Sequence, residues 1–196
     1  MKKMDMRMAK KRGWLKTEAG FTLTEVMVVV AIIGILTAFA IPNYLDWSKK
    51  CKLKDAVGLI HSNLNMARMN AINQNTTATV TVTQASATSP VTVTFSGISG
   101  LSPLTFDSEV SLSNASNQSV GSGVTSPQSI QFNTMGMRVN SGSPGNVCIS
   151  NTGAVATCGS TTNQALNFKN TSGYNYRIVV TSTGKASWCY TSSCIQ

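Results

Sequence analysis

Few side chains in this sequence could do chemistry, and they are scattered. The one histidine, His61, lies one position past an apolar helical stripe. Alone on such a face it reads as a surface or sheet-covering residue rather than a catalytic base. Asp107 and Glu109 are two apart in a loop-like segment. On a strand they would share a face, but no acid–base or nucleophilic partner accompanies them. Two carboxylates are also too few oxygen ligands for calcium. The sequence therefore points to no enzyme, no cofactor and no metal centre. The remaining candidates are five cysteines and one glutamate, Glu25, set inside a long apolar run.

The cysteines are Cys51, Cys148, Cys158, Cys189 and Cys194. Four of them lie in the last fifty residues, without a CxxC and far from His61. In an exported chain, clustered cysteines at these spacings favour disulfides over metal. Four cysteines allow three connectivities. Cys148–Cys158 and Cys189–Cys194 are favoured because each closes a short local loop, which leaves Cys51 free.

Glu25 poses the sharper question, because an unpaired carboxylate in lipid is expensive. Phe21–Ile41 is a run of 21 residues with one charge. At about 1.5 Å per residue it spans roughly 30 Å as a helix, the hydrocarbon thickness of a bilayer. Residues 1–20 hold seven bases and two acids, against nine and five in residues 21–196. The basic leader places the N-terminus inside. It also accounts for most of the high pI, which is thus no nucleic-acid signature of the folded part. An ordinary secretory signal is the competing reading, but its apolar core is shorter and ends at small residues. Here the run continues into a helical pattern beyond Pro42, a residue that can kink a helix.

The elements that position these residues follow from periodicity. Leu53, Val57, Ile60, Leu64, Ala67 and Ala71 alternate spacings of four and three, an amphipathic helix ending near Asn73–Thr77. One helix of roughly fifty residues results, and its second half needs a packing partner. From Ala78 the period becomes two. Expected strands lie in Thr77–Gln84, Pro90–Phe95, Ser129–Met137, Asn146–Ser150 and Ala154–Cys158, with a hairpin over Tyr176–Tyr190 turning at Ser182–Gly184. Ser111–Pro127 reads as a polar low-complexity loop. The Ser-, Thr-, Asn- and Gly-rich composition past residue 75 suits an extracytoplasmic β domain. The organisation is a basic leader over 1–20, an apolar helix over 21–42, an amphipathic helix over 43–76 and a β-rich domain over 77–196. The fold class is α+β, a long helix on antiparallel sheets.

The stretch Gly20, Phe21, Thr22, Leu23, Thr24, Glu25, followed by about twenty apolar residues, resembles the class III signal of type IV pilins and type II secretion pseudopilins. The resemblance implies cleavage by a prepilin peptidase between Gly20 and Phe21, and methylation of the new Phe21 amine. It implies a subunit held in the inner membrane, globular domain in the periplasm, and then passed by an assembly platform into a helical fibre of other pilins. Lipid is the partner before assembly. Glu25 would then pair in the fibre core with the Phe21 amine of a neighbour. Gly34 and Pro42 match the pilin pattern, in which the intervening helix can unwind inside the filament.

Within that family, Met66–Val82, Ile130–Asn140 and Tyr176–Cys189 resemble the GspH/FimT branch, which implies a minor, low-abundance subunit. A major fibre subunit is the alternative. A DNA-uptake pilin is another, through Arg177 and Lys185. Only Arg138, Lys169, Arg177 and Lys185 are basic in the β domain. Backbone binding scales with the phosphates neutralised, so these four would make a weak site. Pilus, secretion and competence systems are not separated by the sequence.

Overall fold

A computed structural model describes residues 20–113, 127–139, 146–150, 155–156, 158–159 and 161–190. The chain divides into two compact units, Met1–Pro42 and Asn43–Gln196. One helix, α1 (Leu23–Asn73, 51 residues), contributes to both. In the first unit the helix is long and apolar enough to cross a membrane. Its side chains, Val26 to Ile41, are exposed on every face. A helix apolar all round requires an apolar surrounding.

In the second unit, Leu53, Ala56, Val57, Ile60, Leu64, Ala67 and Ala71 are buried. This is the expected stripe with Ala56 added, and it packs on two antiparallel sheets. The first sheet contains β1 (Ala78–Thr83), β2 (Thr92–Ser96), β3 (Leu104–Thr105), β5 (Gln128–Phe132) and β6 (Arg138–Val139), in the order β3-β2-β1-β5-β6. The second contains β4 (Ser111–Ser113), β7 (Val147–Ile149), β8 (Val155–Ala156), β9 (Asn163–Lys169), β10 (Asn175–Val180) and β11 (Ala186–Tyr190). Its order is β11-β10-β9-β7-β8, and β4 takes the rest of the β9 edge. Val80 and Val82 alternate with threonines, so one face of β1 enters the core beside Ile130 and Val93. Leu112, Leu166, Phe168, Ile178 and Val180 close the core from the second sheet.

Helix α1 stops at a Schellman cap. Asn75 takes the left-handed conformation (φ 48°), Thr76 N–H donates to Ala71 O and Asn75 N–H to Ile72 O. β1 follows at once.

Three expectations are corrected. Ser111–Ser113, read as loop, is a buried strand paired with β9; residues 114–126 of that stretch lie outside the described residues. Ser129–Met137, read as one strand, is a strand and a turn, with Gly136 at φ 73° leading into β6. The central strand of the second sheet, β9, was not anticipated. Its Asn163, Gln164 and Asn167 are buried although polar. Gln164 donates to Ser129 O at 2.8 Å, tying one sheet to the other. Hydrogen bonding of that kind is what makes buried amides tolerable.

Candidate functional site

The start of α1 is built by Thr22. Gly20, Phe21 and Thr22 precede the helix, and Phe21 is 81% exposed. Thr22 is the N-cap: its Oγ1 accepts from Glu25 N–H at 3.2 Å, and its carbonyl accepts from Val26 N–H at 3.3 Å. The order Thr22-Leu23-Thr24-Glu25 has capping-box spacing, which puts Glu25 three residues into the helix. There its carboxylate meets the positive end of the helix dipole. Two shallow grooves flank it, one lined by Phe21, Val26 and Val29, the other by Thr22, Thr24 and Val28. So the Gly20–Phe21 bond lies outside the helix, and the one acid of the apolar run stands open beside it. The capping-box spacing is present in the sequence, but lipid and the fibre core, not the helix start, are the settings in which Glu25 stands out there.

Helix α1 runs unbroken through Gly34 and Pro42 in this single chain. Both weaken it locally. Pro42 offers no N–H to the carbonyl four residues back. Thr37 Oγ1 donates to Ile33 O and Gly34 O, both at 3.0 Å, a back-bonding that tends to bend helices.

The basic residues of the β domain are not gathered on one open face. Arg177 is nine-tenths buried, and its Nε donates to Asn167 Oδ1 at 2.6 Å. Burial pushes its pKa below the ordinary arginine value. Arg138 is buried likewise, donating to Gly159 O at 2.9 Å and to Thr162 O, with its pKa lowered by the same cause. Lys185 is exposed. A phosphate contact at Arg177 would require the side chain to leave the sheet, which corrects the expected Arg177–Lys185 pair as a surface site. Tyr176 packs against Trp188 and Tyr190, ring centroids 5.8 and 5.7 Å away. These aromatics are engaged in the sheet.

His61 covers the second sheet, with Nε2 3.1 Å from Ala186 O. Cys148 and Cys158 are joined by a disulfide with Cα atoms 5.1 Å apart, and Cys51 is free. Cys189 is disulfide-bonded; its expected partner, Cys194, lies outside the described residues.

Arg68 makes the contact that sequence reasoning missed. Its Nε donates to Gly136 O at 2.8 Å and its guanidinium to Thr183 O at 3.1 Å. Gly136 and Gly184 both have positive φ, and a Cβ on Gly184 would lie 1.9 Å from Gly136 O. One helix residue thus clamps a turn from each sheet.

Residues 15–41 match the model of the prokaryotic N-terminal methylation motif. The chain is 48% identical over 58 residues to a fimbrial protein of Pseudomonas aeruginosa, 30% of this chain and 37% of that one. It is 55% identical over 42 residues to the type IV major fimbrial protein FimA of Dichelobacter nodosus, 21% of this chain and 26% of that one. The chain therefore matches only about a quarter to two fifths of these relatives' length. No solved structure matches it. The N-terminal part of this chain thus carries the prokaryotic N-terminal methylation motif at the start of an exposed apolar helix, and there it is similar to type IV fimbrial proteins.

Proposed function

We propose that this chain is a fibre subunit, released from its leader between Gly20 and Phe21, methylated on Phe21 and assembled with other pilins from the inner membrane, globular domain outward. The observation that carries the reading is local: an exposed, non-helical Gly20–Phe21 bond, a cap at Thr22, and a helix apolar on all sides but for Glu25. Surrounding such a helix with identical apolar helices removes it from both lipid and water. Glu25 then loses its solvent, and the Phe21 amine of the next subunit is the charge that compensates it.

A minor, GspH/FimT-type role is favoured by the Arg68 clamp. Met66–Val82, Ile130–Asn140 and Tyr176–Cys189 are far apart in sequence, yet Arg68, Gly136 and Gly184 from these three segments meet at one point. Glu25→Ala tests the assembly reading: leader removal is expected to persist while incorporation into fibres falls sharply. Normal incorporation of Glu25→Ala would refute the charge-pairing role.

A further inference from the structure

Charge in residues 21–196 is concentrated at one level. Four of its five acids (Asp46, Asp55, Asp107, Glu109) and four of its nine bases (Lys49, Lys50, Lys52, Lys54) fall in helix residues 46–55 and the 107–109 segment. The two segments adjoin, with Lys52 Nζ 3.8 Å from Asp107 Oδ2. Beside that pair opens a groove of about 380 Å³. Its floor is apolar (Ala56, Leu59, Phe106), and its rim carries Asp55, Asp107 and Glu109 against the single base Lys52. Lys52 and Asp107 are 56% and 64% exposed. Exposed pairs of this kind contribute about 0–1 kcal/mol, and the other rim contacts are neutral donors, Ser108 N–H to Asp107 Oδ1 at 2.7 Å and Thr171 Oγ1 to Glu109 Oε2 at 2.8 Å, so the rim keeps a surplus of negative charge. It is the only ion pair among the described residues, which leaves Lys49 and Lys54 outside any such pair within their own chain.

We propose that this groove is a docking site between subunits, and that its occupant is the Lys49–Lys54 stretch of a second copy of this chain. The proposal rests on the fibre reading above. A lysine suits the groove because its methylene stem can lie on the apolar floor while its ammonium reaches the acidic rim. A second copy supplies such lysines, since Lys49 and Lys54 have no ion pair among the described residues of their own chain.

The test uses the full-length chain with Cys51→Ser, Lys49→Cys and Glu109→Cys, oxidised mildly in fibres and, separately, in detergent-dispersed membranes. The proposal expects a 49–109 disulfide between copies, verified by peptide mass. It should be about tenfold more abundant in fibres, where docking raises the effective concentration of the two thiols. Fibres at normal yield without that link overturn the groove while leaving Glu25 pairing intact. A link from either position to a different protein overturns the occupant. Absence of fibres from the parent chain contradicts the fibre reading and this proposal with it. In a second arm, Glu109→Lys lowers fibre yield and adding Lys49→Glu restores it; no restoration counts against the pairing.

Discussion

Replacing Gly184 by alanine should be among the most damaging single-methyl changes in the β domain. Gly184 has φ +81°, a conformation that costs a non-glycine residue roughly 1–2 kcal/mol. The added Cβ would also lie 1.9 Å from Gly136 O. That carbonyl accepts from Arg68 Nε at 2.8 Å, so relieving the contact breaks a hydrogen bond to a charged donor. Such bonds contribute about 1.5–3 kcal/mol, taken at the lower end because Arg68 is partly exposed. The sum is about 2.5–3.5 kcal/mol. Gly173 is the control. It has φ +84°, but nothing lies within 4 Å of its Cβ position, so only the backbone term of roughly 1–2 kcal/mol applies. Both variants can be compared by urea unfolding of the detergent-solubilised chain, with Trp14 and Trp47 changed to Phe so that Trp188 reports. Equal loss of stability in the two would refute the clamp as a steric junction between the turns.

Other consequences are as direct. Leu64 is fully buried in the helix stripe, so Leu64→Ala should cost about 2–5 kcal/mol in the same unfolding assay. Met66→Ala, at an exposed position two residues on, should stay within about 0.5 kcal/mol. Thr22→Ala removes the N-cap and should cost about 1 kcal/mol of local helix stability. Faster amide exchange confined to the first turn from Leu23 would show it, and unchanged exchange there would count against the cap.

What the sequence made legible, and what it hid, follows from burial. The stripe from Leu53 to Ala71 was readable because one helical face is apolar and the rest is not. Val80, Val82, Val93 and Phe95 were readable because threonines alternate with them. Strand β9 was hidden because successive residues of the strand, Asn163, Gln164 and Asn167 among them, are buried on both of its faces, where alternation of polarity no longer marks the inside. Arg138 and Arg177 misled for the same reason, since a charged residue is by default a surface residue. At the N-terminus the motif read plainly, but its geometry did not. Thr22 and Glu25, inside the methylation motif, also form a helix start, which the hydrogen bond between them displays. The clamp joins residues 68, 136 and 184, a separation no local pattern encodes.

The account rests on the bond between Gly20 and Phe21. Intact-mass and N-terminal peptide analysis of the protein recovered from membranes and from fibres tests it most directly. The account predicts a chain that begins at Phe21 and carries one added methyl on its amine. A chain retaining residues 1–20, or one cut behind the apolar run near Ala40, would contradict it.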